Sequence, residues 1–153
     1  MKRMLLGLSL ILCLVMTGCS AKNDAVLTTE GIADAVAKAT DFAELVAADE
    51  KYLEKYLLIE AADLASWSWQ RDSSRVTPEM ILVLEVKPEA DQAAIKQAVQ
   101  EYHDEQIFQY RDYQPDQVYK LENAKVLQNG AFIVLAVSPD AAKVNTALGN
   151  GWK

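Results

Sequence analysis

The sequence predicts an α+β fold: an antiparallel sheet of about four strands covered by helices, in the order α-α-β-β-α-β-β-α. Three observations lead there. Residues 64–71 alternate apolar with polar side chains, and residues 80–86 follow as a nearly unbroken apolar run, so two strands stand side by side in sequence. Asn129-Gly130 sits between two further apolar runs, the strongest short hairpin signal, because both central turn positions favour positive φ. Between the two strand pairs lies a long stretch with helical spacing, Ile95, Val99 and Tyr102.

Each element follows from local chemistry. Ile32, Val36 and Ala39 keep helical spacing from about residue 30, with Thr28 or Thr29 placed to cap the start. Thr40-Asp41 breaks that pattern, and residues 42–46 fit neither period. Tyr52, Leu53, Tyr56 and Leu57 mark a second helix, for which Asp49 is the natural N-cap. In the first strand Ala65, Trp67 and Trp69 point one way and Ser66, Ser68 and Gln70 the other. Arg71-Asp72-Ser73-Ser74 reads as a turn. Pro88 falls in the expected first turn of a helix running from about residue 89 past residue 109, with Glu89 and Asp91 suited to its positive end. Tyr113-Gln114-Pro115-Asp116 ends or kinks it.

The hairpin pairs Gln128 with Ala131 and Leu127 with Phe132, which puts Leu127 and Phe132 on one face and Val126 and Ile133 on the other. Ser138-Pro139-Asp140 supplies the cap, proline and acid for a last helix to Leu148, with Gly149 as its C-cap. Residues 83–90 and 134–141 both read as a strand, a proline and an acid-led helix, which raises a duplicated ββα unit against simple convergence on helix-start chemistry.

The first 19 residues carry a different signal. Lys2 and Arg3 precede an apolar block over residues 4–16, which closes on Met16-Thr17-Gly18-Cys19. That is the layout of a secretory signal, and the block is too short to span a membrane, which takes about 20 apolar residues. The Cys at the cut makes it resemble a bacterial lipoprotein signal, with Met16 in the usual Leu place of the lipobox. The resemblance implies cleavage between Gly18 and Cys19, lipid on the Cys19 sulfur and an acyl chain on the new amino group. The expected organisation is a signal over 1–18, a lipidated Cys19 and tether over 19–29, and a single domain over 30–153.

Composition narrows the function classes. Removing residues 1–18 leaves 135 of the 153 residues, enough for one domain with a core of its own. Cys13 would leave with the signal, so Cys19 alone would remain and neither a disulfide nor a Cys-built metal cluster is expected. Losing Lys2 and Arg3 takes the net charge from −7 to −9, which repels phosphate backbones and anionic lipid heads. Nucleic acid is not an expected partner, and membrane attachment is expected through the lipid on Cys19.

The mature chain also resembles a family of small lipoproteins, mostly from Gram-positive bacteria, whose domain has no known function. The resemblance rests on Ile81-Leu82-Val83-Leu84-Glu85-Val86-Lys87, then Gln106, Tyr110 and Tyr113-Gln114-Pro115, then Leu121-Glu122-Asn123-Ala124. It implies location and fold class and brings no catalytic residue.

No cofactor, metal or catalytic constellation stands out. His103, the only histidine, lacks a serine in a nucleophile elbow and reads as a solvated residue on an acidic helix. Glu85 lies inside an apolar strand, on the face of Ile81 and Val83, and is expected to meet solvent or Lys87 at the strand end. Trp67 and Trp69 are core if Ser66 and Ser68 face water; side by side on the surface they would instead form a site for a protein or glycan partner. The expected function is a non-enzymatic, lipid-anchored extracytoplasmic domain serving an envelope protein or glycan. The alternative is a small carboxylate-dependent hydrolase of a cell-wall polymer, built on a pair of acids.

Overall fold

The computed structural model describes residues 27–153. The expected signal, the expected Gly18–Cys19 cut, the expected lipid site at Cys19 and most of the expected tether lie outside the described residues. Ten elements follow: α1 (Thr29–Ala37), β1 (Leu45–Ala47), α2 (Glu50–Leu57), β2 (Leu64–Asp72), β3 (Met80–Val86), α3 (Gln92–Tyr113), α4 (Val118–Asn123), β4 (Val126–Asn129), β5 (Phe132–Val137) and α5 (Ala141–Leu148). The five strands form one antiparallel sheet in the order β1-β2-β3-β5-β4.

The sheet is covered on both sides. One face carries Leu82, Leu84, Ile133 and Leu135 against Leu53 and Leu57 of α2, Ile95, Val99 and Tyr102 of α3, and Leu121 of α4. The other carries Ile81, Val83 and Val134 against Ile32, Ala33 and Val36 of α1 and Val144 of α5. Antiparallel sheets often leave one face wet and then alternate in sequence. Here the two central strands, β3 and β5, are buried on both faces apart from Glu85, which is why they read as unbroken apolar runs.

Helix starts follow the capping residues. Thr28 accepts from the Gly31 N–H, Asp49 from Tyr52, and Asp91 from Ala93 and Ala94. The Asp91 cap places the start of α3 beyond Pro88, which sits in the preceding turn and not in the helix. Asp140, not Ser138, caps α5, and Gly149 follows its end at φ 73°.

The sheet has five strands where about four are expected. The extra one, β1, comes from residues that fit neither period; three residues are too few to show alternation, and pairing with residues 70–72 makes them a strand. α4 also escapes the sequence reading. It is six residues long and grows out of a tight turn begun by Pro115, which shows no periodicity.

The hairpin turn is Gly130-Ala131, one residue later than expected, because Asn129 pairs with Phe132 inside the ladder. Gly130 has φ 57° and Ala131 stays outside the positive-φ set, so a single glycine at the first turn position suffices, the pattern of a type II′ turn. The register shift is two residues, Leu127 pairing with Val134 in place of Phe132. An even shift keeps each side chain on its face, so Val126 and Ile133 still share one core.

β2 has a bulge between Leu64 and Ser66. It brings Leu64 onto the face of Trp67 and Trp69 and leaves Ala65 exposed, off the stripe expected for it. The echoing strands do meet, with Val83 directly opposite Val134. Their helices do not follow: α3 packs on one face of the sheet and α5 on the other, whereas a two-fold repeat of antiparallel neighbours keeps faces.

Candidate functional site

A cleft opens on the α2–α3 face, where the β2–β3 turn meets the C-terminal half of α3. It holds about 360 Å³. Five of the six tyrosines line it, Tyr52, Tyr56, Tyr102, Tyr110 and Tyr113, together with Arg71, Arg75, Gln106 and Gln109. Helical geometry explains the convergence: residues 102, 106, 109, 110 and 113 share one face of α3, and 52 and 56 share one face of α2.

An aromatic stack runs from the mouth of the cleft to its rear wall. Tyr56 lies 4.2 Å from Tyr52, Tyr52 meets Trp69 edge-on at 5.2 Å, and Trp69 meets Tyr102 edge-on at 5.4 Å. The Arg71 guanidinium lies 4.4 Å from the centre of the Tyr52 ring, a cation–π contact of about 0.5–2 kcal/mol depending on its burial. Arg71 Nε is buried without a hydrogen-bond partner. Among the described residues neither Arg71 nor Arg75 joins a salt bridge.

The front lip is the turn after β2. The Asp72 carboxylate accepts from the backbone N–H and hydroxyl of both Ser74 and Thr77, at 2.8–2.9 Å. Burial acts to raise the Asp72 pKa, but the hydrogen bonds from Thr77 and Ser74 outweigh it and hold the carboxyl below its usual value. Arg75 sits in this loop at φ 61°, a left-handed conformation uncommon for a side-chain-bearing residue. The Tyr110 hydroxyl donates to the Thr77 carbonyl at 2.9 Å and ties the loop to α3. Burial, then the nearby Asp72 charge, pushes Tyr110 up to about 12, so it stays a neutral donor. Burial likewise raises Tyr52 and Tyr102 above the ordinary phenol range.

Glu79 borders the cleft but turns away from it. Its carboxylate accepts from Lys120 Nζ and from the Ala43 N–H, both at 2.6 Å, and both members of the ion pair are buried. Thus both acids in the cleft wall already have partners within the protein.

The residues singled out by sequence fall as follows. Trp69 is 1% exposed and lies behind the cleft; Trp67 is partly buried against the same core. They do not stand side by side on the surface, so the partner-surface arrangement of Trp67 and Trp69 is not what forms. His103 is buried, not solvated: its Nε2 bonds the Leu121 carbonyl at 2.9 Å, joining α3 to α4, and its Nδ1 has no partner. α4, unseen in sequence, is what covers it. Glu85 accepts from Ser66 at 2.6 Å, and Ser66 in turn accepts from Thr29 at the start of α1. Lys87 instead donates to the Ala62 carbonyl. Among the described residues, no three His, Cys, Asp or Glu side chains gather as metal ligands. No described helix is long and apolar enough to cross a membrane.

A family model matches residues 38–138, two-thirds of the chain. The chain belongs to the DUF4358 family, a domain of unknown function. The matched span of the DUF4358 domain takes in the whole sheet and every residue lining the cleft; α1 lies before it and α5 after it. Comparison with curated proteins and with solved structures gave no match.

The cleft itself was not foreseen. Its signal was nevertheless present: Gln106, Tyr110 and Tyr113, quoted above for the family resemblance, all line it. What sequence could not supply was the approach of Arg71 and Arg75 from the other side, which depends on the β2–β3 turn folding back onto α3.

Proposed function

We propose that this DUF4358 protein is a lipid-anchored extracytoplasmic binding domain, held at the membrane by Cys19, with the tyrosine–arginine cleft as its ligand site. The observation that carries the binding reading is the pairing of an aromatic-walled cleft with two guanidiniums that make no salt bridge among the described residues. Small-ligand sites are concave, about 300–1,000 Å³, and mix aromatic walls with a few placed polar groups. This cleft meets that description at the lower end of the range.

The state of the acids favours binding over hydrolysis. General acid catalysis needs a carboxyl that can hold a proton near neutral pH. Asp72 is shifted the other way, and Glu79 is committed to Lys120. The lipobox Met16-Thr17-Gly18-Cys19 supports the location. Two acyl chains give stable anchoring, at about 0.8 kcal/mol per buried methylene.

A photo-crosslinking residue in place of Tyr113, in the lipidated full chain in membranes, tests the reading against the same substitution at Lys143 on α5. Envelope material attached from position 113 and not from 143 is the expected result. Equal attachment from both positions, or none from 113, overturns the assignment of the cleft. Retention of Cys19→Ala in the membrane at unchanged mass overturns the anchor.

A further inference from the structure

The balance of groups in the cleft goes further than binding in general. We infer that its ligand is an anionic saccharide, with a carboxylate or phosphate held by Arg71 and Arg75 and a sugar ring laid against the tyrosines. This deepens the binding reading above and rests on it.

Charge comes first. Arg71, Arg75 and Lys120 stand against Asp72 and Glu79 in and behind the cleft wall, a local excess of one positive charge in a chain of net charge −7. Both carboxylates are already hydrogen-bonded within the protein, as described above, so the two guanidiniums are the charged groups left to meet a ligand. Arg75 is exposed on the lip and Arg71 is half-buried behind it, so an anion between them would enter from solvent and end over Tyr52. Guanidinium presents paired N–H donors that match carboxylate and phosphate oxygens, and such charge-assisted bonds are the strong ones.

The rest of the wall selects a saccharide over an apolar side chain. Met80 and Pro78 are its only non-aromatic apolar lining residues. The remainder are tyrosines, whose flat faces suit the C–H side of a sugar ring and whose hydroxyls are polar, together with Thr77 and the amides of Gln106 and Gln109. Gln106 makes no side-chain hydrogen bond among the described residues, and Gln109 bonds only to Glu105 on its own helix. The mouth is flanked by exposed aromatic surface, Tyr113 at 67% and Tyr56 at 39% exposure, a platform for a ring arriving from water.

The test is calorimetric titration of the lipidated full chain in detergent. Digalacturonate serves as the carboxylate probe, glucose 1-phosphate as the phosphate probe and digalactose as the neutral control. At least one acidic probe should bind about tenfold or more tighter than digalactose, and Arg75→Gln should remove that advantage, as loss of one charge-assisted contact implies. Tyr113→Ala should weaken acidic and neutral sugars alike. Both side chains are exposed, so neither variant should disturb folding. Which acidic probe wins identifies the anion. Digalactose binding as tightly as both acids overturns the anion assignment. Silence of both acidic probes overturns the saccharide assignment, and if position 113 still crosslinks to envelope material the cleft remains a binding site for something else. Silence together with no crosslink removes both readings. A crosslinked adduct that is protein, not glycan, also overturns the inference.

Discussion

The two faces of the sheet are built from different side chains and end up doing different things. The α1–α5 face is mainly aliphatic: Ile32, Val36, Ile81, Val83, Val134 and Val144 interlock, with Phe132 the one buried ring and Phe42 and Trp152 packed at the edge. The α2–α3 face begins the same way, with Leu53, Leu82, Leu84 and Leu135, but towards the β2–β3 turn it changes to Trp69 and tyrosines. Interior side chains of either kind pack to crystal-like density. Tyrosine differs in carrying a polar hydroxyl that seeks a partner or water, and the cleft opens where the tyrosines gather at the edge of this layer. Both faces hold the fold together, and the α2–α3 face also opens a cleft.

Removing a side chain from each face tests this contrast first. Trp69→Ala should cost about 3–5 kcal/mol in urea unfolding, since it deletes a buried indole that two tyrosines rest on. Val36→Ala on the closed face should cost about 1.5–2 kcal/mol, the burial of two methyl groups. Only the Trp69 change should also alter ligand binding. Equal binding by Trp69→Ala and the parent chain would separate the aromatic stack from the site.

Asp72 holds the lip of the open face. Asp72→Asn should destabilise by about 2 kcal/mol at pH 7, through weakened hydrogen bonds to a formerly charged acceptor. The folded pKa lies below the ordinary 3.8, so the contribution is complete above about pH 4 and is lost as pH falls through the folded value. The gap between parent and variant should therefore shrink on acidification below pH 4. A gap that stays constant to pH 2 would show that the Asp72 charge contributes nothing.

The smallest change lies away from both cores. Gly130→Val should cost about 1–2 kcal/mol, because a β-branched residue is forced to positive φ. Asn129→Ala should cost less than about 0.5 kcal/mol, since Asn129 is a ladder residue outside the turn. Reversal of that order would restore Asn129-Gly130 as the turn.

The cores on both faces were largely legible in the sequence, and the cleft on the open face was not. Runs such as Ile81-Leu82-Val83-Leu84 and the spacing of Ile32 and Val36 reveal their partners because burial alone decides them. Trp69 is core as its alternation suggests, although Ser66 on the other face meets Thr29 of α1 and Glu85 and not open water. His103 could not be assigned to the core, because its burial depends on α4, a helix too short to show a period. The cleft depends on Arg75 taking a left-handed backbone and on Tyr110 catching Thr77 from 33 residues away, contacts that leave no local pattern.

Hydrogen exchange on the full chain, with and without a soluble wall-polymer extract, tests the central contrast most directly. Ligand should slow exchange over the β2–β3 turn and the C-terminal half of α3, and leave α1 and α5 unchanged. Slowing confined to α1 and α5, or absent throughout, would contradict the assignment of the open face as the binding face.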